Sequence, residues 1–105
     1  MKIFVTATGT NVGKTYVTCS LIHHFHRLGI TACGYKPIET GVQTTPLDGQ
    51  ALLDASHINP TLRKLTLNDI TTYTFPLAAS PAVADPKHTI EIEIIVDHAH
   101  WLEKT

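Results

Sequence analysis

Three stretches of the sequence carry residues able to handle a phosphate group. The first is Thr8-Gly9-Thr10-Asn11-Val12-Gly13-Lys14-Thr15. Its Gly-Lys-Thr end is the core of a phosphate-binding loop. In such a loop, successive backbone N–H groups point inward and form an anion nest. The positive end of the helix that follows adds to the same field. Gly13 lets the backbone approach closely because it has no Cβ. Lys14 supplies an ammonium for the β- and γ-phosphates, and Thr15 a hydroxyl for Mg²⁺. The first glycine of the usual G-x-x-x-x-G-K-[ST] pattern falls on Thr8, with Gly9 one residue late.

The second stretch is Tyr35-Lys36-Pro37-Ile38-Glu39-Thr40-Gly41. If a strand ends at Pro37, Lys36 lies at its carboxyl edge, where ligands bind in open α/β sheets. A second ammonium there could hold a transferring phosphoryl group. A solvated lysine before a proline turn fits the same position equally well. Thr40 could hydrogen-bond a substrate. The third feature is Asp48, which reads more simply as a turn or helix-cap carboxylate. Its alternative role is an oxygen ligand joining Thr15 on Mg²⁺.

These residues need elements to position them. Ile3-Phe4-Val5 is a continuous apolar run, suited to a strand buried on both faces of a parallel sheet. Val17, Leu21, Ile22, Phe25 and Leu28 then mark one face of a helix over 14–28, stopped by Gly29. A short strand is expected over 31–35, ended by Pro37. Together these make a βαβ unit with a right-handed crossover. Residues 39–49 read as loop and 50–56 as a short helix. Residues 57–89 read as mostly irregular, with an extended piece over 70–75. Ile90, Ile94, Ile95, Trp101 and Leu102 mark a last helix. The expected fold class is therefore α/β, a parallel sheet flanked by helices, in a single domain over 1–105. The sequence stops where such a sheet would receive another strand, so it reads as a truncated, incomplete domain.

Composition narrows the function classes. Hydrophobic residues make up 43% and charged residues 16%, with a net charge of −1. That balance is globular and gives no basic footprint for nucleic acid. No apolar stretch approaches the roughly 18 residues of a membrane span, and MKIFVTA is too short an apolar run for a signal peptide. A cytoplasmic location is expected. Cys19 and Cys33 are not at metal spacing and read, like Trp101, as packing residues. The crowded histidines His23, His24 and His26, with His98 and His100, read as solvated faces.

Taken together, the motifs resemble the dethiobiotin synthetase family. Residues 4–15 are similar to its opening F-V-T-G-T-x-T-x-V-G-K-T, with Ala7 in place of the family's Gly and Asn11 where some members have Glu. Residues 34–41 are similar to its G-x-K-P-(x)₂-[ST]-G stretch, and Tyr73-Thr74-Phe75 with Ser80-Pro81 to its Y-x-F … S-P segment. The resemblance implies a P-loop NTPase fold and a homodimer. It implies an ATP- and Mg²⁺-dependent ring closure on 7,8-diaminononanoate in biotin synthesis. The diamine takes up CO₂ (from bicarbonate) as a carbamate, and the carbamate attacks the γ-phosphate. The second amine then closes the ureido ring and expels phosphate.

By position, the resemblance assigns Asn11, Val12, Gly13, Lys14, Thr15 and Tyr16 to the ATP phosphates. It assigns Thr15 and Asp48 to Mg²⁺, Lys36 to catalysis, and Thr40 to the diamine. Thr10 and Ser80 fall along the substrate site. The family's later V-E-G-A-G-G stretch, with a further metal-binding Glu, and its adenine-recognising segment have no counterpart in these residues. Two other readings remain: a partitioning-type ATPase switch, and a non-catalytic nucleotide-binding fragment. The first would carry K-G-G-x-G-K-T, where this chain has Thr8-Gly9-Thr10.

Overall fold

A computed structural model describes residues 2–6 and 13–105. The phosphate-loop residues Thr8 to Val12 lie outside the described residues.

Helix α1 spans Lys14–Arg27. It begins directly after Gly13, whose φ of +84° is the left-handed geometry that glycine adopts without strain. Its end is equally well specified. Leu28 caps it, Gly29 turns left-handed at φ +77°, and Ile30 N–H reaches back to the Phe25 carbonyl at 2.9 Å. Gly29 N–H donates to the His26 carbonyl at 3.0 Å, which completes a Schellman closure. Of the apolar stripe, Ile22 is buried, while Val17 and Leu28 remain exposed.

Helix α1 packs on α2, Leu47–Ser56. Helix α2 supplies Leu52, Leu53 and Ala55 to a core completed by Ile22, Leu62, Leu65, Ile70 and Leu102. The backbone of 33–35 runs against this helix. A Cβ on Gly34 would lie 2.9 Å from Leu52 Cβ, so only glycine fits. Gly34 N–H donates to Ser56 Oγ at 3.1 Å, and that hydroxyl donates to the Leu52 carbonyl at 2.7 Å.

The sheet among the described residues has two parallel strands, β1 (Ile38–Thr40) and β2 (Tyr73–Phe75). Ile38 pairs with Tyr73, and Thr40 with Phe75. Between them lie α2, a 3₁₀ turn at Pro60–Leu62, and α3, Leu67–Ile70. Helix α4 (Pro81–Ala84) and helix α5 (Ile92–Glu103) follow. The class is thus α/β with a parallel sheet and flanking helices, as the sequence indicates.

Three expectations need correction. Residues 3–5 join neither strand; Phe4 is 90% exposed, and Lys2 is held by an ion pair to Glu103 at 3.2 Å. A doubly buried strand needs neighbours on both sides, and none pairs with it among the described residues. The expected βαβ unit around α1 is therefore not formed; the parallel connection runs through α2 and α3 instead. The expected strand at 31–35 is also displaced: β1 lies after Pro37, which precedes the strand rather than ending one. Its ring removes a donor, but its carbonyl still accepts from Tyr73 N–H at 2.8 Å. Finally, α2 begins at Leu47, so Asp48 and Gly49 belong to a helix rather than a loop.

Two outcomes test this packing. Gly34→Ala must push against Leu52, and overpacking of this kind costs about 1–3 kcal/mol; denaturant unfolding reads the loss. The second concerns Asp85, which lies buried after α4 and accepts from Thr89 N–H at 2.9 Å, Thr89 Oγ1 at 2.7 Å and Ile90 N–H at 3.0 Å. The Thr89 N–H foremost, with the Ile90 N–H, the Thr89 hydroxyl and the nearby His88, holds its pKa below the ordinary carboxylate value, against the pull of desolvation. A carboxylate with a lowered folded-state pKa stabilises the fold above its unfolded value and loses that contribution as pH falls through the folded one. Asp85→Asn should therefore be less stable than wild type at pH 7. The gap should narrow as pH drops below about 4, measured by thermal unfolding across pH.

Candidate functional site

Lys36 and Asp48 meet at the start of α2, on the helix that packs against α1 with its Lys14 and Thr15. Asp48 sits in its first turn, which no residue of the helix itself caps, because the capping position is Pro46. Lys36 precedes β1, and its Nζ donates to Asp48 Oδ2 at 2.6 Å. Lys14 and Thr15 come from the first turn of α1, which packs on α2. Partial burial opposes ionisation of Asp48. The Lys36 hydrogen bond and charge, the Thr15 hydroxyl and the Lys14 charge outweigh it and hold the Asp48 carboxyl below its usual range. Of the two lysines, Lys36 is the one in direct contact with the carboxylate.

Cations and a hydroxyl beside a left-handed glycine at a helix start are features that favour an anion. Thr15 and Asp48 offer hard oxygen donors side by side. That donor set suits Mg²⁺, which takes one or two protein oxygens together with phosphate oxygens and water. A cavity of about 260 Å³ opens beside Asp48, lined by Glu39, Gly41, Gln43, Thr44, Thr45 and Leu47. A larger hollow of about 350 Å³ lies at the far end of α1, beside His23, His26 and Arg27. It is remote from the lysines and from Asp48.

The remaining expected residues are placed less tightly. Thr40 closes β1 and is half-buried, flanked by the cavity residues Glu39 and Gly41. Tyr16 is 78% exposed on α1. Ser80 precedes α4 at the surface. Asn11 and Val12, like Thr10, lie outside the described residues. Lys36 is at the amino end of β1, not beyond a strand's carboxyl end; it reaches the site because Asp48 comes to it.

Glu39 was not singled out by its sequence context. It is 6% exposed, and its two oxygens accept the N–H groups of Asp48 at 3.1 Å and of Gly49 at 2.8 Å. A signal for it exists in the sequence. Pro46-Leu47 offers no side-chain oxygen to begin a helix, so an acceptor must come from elsewhere. The histidines and cysteines take other places. His26 Nε2 pairs with the Ala32 carbonyl at 2.8 Å, and His98 stacks on Trp101 at 5.2 Å between ring centroids. Trp101 itself is half exposed. Cys19 and Cys33 are half-buried free thiols, both raised in pKa by burial first of all.

Residues 1–103 match the AAA domain family. The chain belongs to that family. It is also similar to curated proteins named ATP-dependent dethiobiotin synthetase BioD. The Sulfurovum sp. (strain NBC37-1) relative is 43% identical over 104 residues, covering 98% of this chain and 50% of the relative. The Wolinella succinogenes relative is 36% identical over 96 residues, covering 91% and 44%. That from Baumannia cicadellinicola is 37% identical over 86 residues, covering 79% and 37%. The chain spans about half the length of these relatives or less. The AAA domain assignment and the parallel strands with flanking helices agree on an α/β P-loop fold.

The Lys36 and Asp48 side chains are 33% and 41% exposed, so their ion pair is well solvated. Pairs of that kind contribute roughly 0–1 kcal/mol. Lys36→Met and Asp48→Asn should therefore unfold within about 1 kcal/mol of wild type in a denaturant titration. Any large loss of ligand binding in them is then a loss of chemistry rather than of fold.

Proposed function

We propose that this chain forms the phosphate-handling half of a dethiobiotin synthetase. That enzyme closes the ureido ring of dethiobiotin from 7,8-diaminononanoate, CO₂ and ATP in the presence of Mg²⁺. The observation that carries the proposal is the Lys36–Asp48 pair, at 2.6 Å, on the helix that packs against α1, in a chain similar over nearly its whole length to proteins of that printed name.

In this reading, Gly13 and the start of α1 hold the ATP phosphates, with Asn11 and Val12 preceding them and Tyr16 following. Lys14 neutralises the β- and γ-phosphates. Lys36 leaves Asp48 for the carbamate and the transferring phosphoryl group, whose developing charge a fixed ammonium stabilises. Thr15 and Asp48 would hold Mg²⁺, which when bound supplies charge neutralisation at the phosphates. Thr40 lies next to the cavity beside Asp48, where an amine of the diamine could be accepted by its hydroxyl. Further ligands would come from phosphate oxygens, water and the family's later metal-binding Glu. The proposed enzyme is a cytoplasmic homodimer. No helix of the described residues is long and apolar enough to cross a membrane.

The test is phosphate release from ATP, with and without diaminononanoate and bicarbonate. It is run on this chain alone and on this chain joined to the remaining segment of a relative. Release that requires the diamine is expected in the joined form. Lys36→Met should lower it by about 10²–10³ while ATP binding persists, the scale of removing one transition-state donor. Release indifferent to the diamine would overturn the proposal. ATP-dependent association with DNA would favour a partitioning-type switch.

A further inference from the structure

Helix α2 starts without an acceptor of its own. The first N–H groups of any helix lack partners inside it, and Pro46 at the capping position makes no side-chain bond to them. Glu39, in the middle of β1, fills that need from another element. Its Oε2 accepts from Asp48 N–H and its Oε1 from Gly49 N–H. The carboxylate also meets the positive end of the helix dipole. A buried charge requires such compensation, and both its oxygens are engaged by backbone, which leaves it poorly placed to ligate anything else. The opposite side of the same turn is closed by Thr71. A Cβ on Gly49 would come within 2.4 Å of Thr71 Oγ1. The turn is thus held between a strand carboxylate and a threonine, and its one functional side chain, Asp48, emerges from the clamp.

We infer that Glu39 is a positioning residue for the site. By fixing the amide of Asp48, it sets the reach of that side chain to Lys36 Nζ. The role in phosphoryl transfer rests on the proposed function above; the positioning itself rests only on this geometry. Losing the carboxylate frees the turn to move, and Lys36 then loses its partner in a fraction of molecules.

The experiment compares wild type, Glu39→Gln, Glu39→Ala and Asp48→Asn, all without nucleotide. Trace acylation with acetic anhydride, read by mass spectrometry, reports how well Lys36 is paired. Hydrogen exchange reports the amides of Asp48 and Gly49. Glu39→Gln keeps the shape and one acceptor, so it serves if Glu39→Ala does not fold. The expected result is a loss of exchange protection at both amides of about tenfold, the scale of a charged hydrogen bond. Lys36 acylation should rise in both Glu39 variants toward the rate of Asp48→Asn. Exchange protection lost with Lys36 acylation unchanged would overturn the inference, leaving Glu39 as a helix cap alone. Unchanged protection would overturn it too. Because no nucleotide is present, a wild-type chain that fails to bind ATP would count against the proposed function and not against Glu39.

Discussion

The site depends on two N–H groups at the head of a ten-residue helix finding their acceptor on a strand. Asp48 and Gly49 have no partner in their own helix, and Glu39 supplies one from β1. That contact ties helix to sheet at the point where the chemistry collects. The rest follows in sequence. With the turn fixed, Asp48 meets Lys36; with α1 packed on α2, Lys14 and Thr15 face the same carboxylate. The core of Ile22, Leu52, Leu53 and Ile70 provides the packing that keeps the two helices in this relation.

Much of the site was legible before the structure, because its signals are local. Gly13-Lys14-Thr15 declares a loop and a helix start within three residues, and Gly29 declares the end of the same helix. Lys36, Asp48 and Thr15 were each nameable from residue type and neighbours. What the sequence did not show was that they meet. That depends on the packing of α1 against α2, which the periodicity of either helix alone does not encode. The roles assigned to Lys14, Thr15, Lys36 and Asp48, like those of Asn11, Val12, Tyr16 and Thr40, stay with the proposal.

The misreadings share a cause. Pro37 suggests the end of a strand, yet it stands just before β1, where only its carbonyl is needed, and Tyr73 N–H uses it. Gly41, Pro46 and Gly49 make 39–49 read as loop, yet α2 already begins at Leu47. The acceptor is Glu39, eight residues before Leu47. Ile3-Phe4-Val5 has strand composition, but strand formation is a pairwise event, and the described residues provide no partner. In each case a rule about single residues gave way to a contact between distant ones.

The short Lys36–Asp48 contact also shapes the energetics of any anion that enters. An isolated ammonium would have to shed water to receive a phosphate. Here Lys36 has already exchanged part of its hydration for a carboxylate, at a position that still sees solvent. An incoming phosphate therefore competes with Asp48 for the same cation, and the swap trades one oxyanion for another. In the proposed reaction, the displaced carboxylate would be left charged and newly vacant, free to take a divalent cation carried in on the nucleotide.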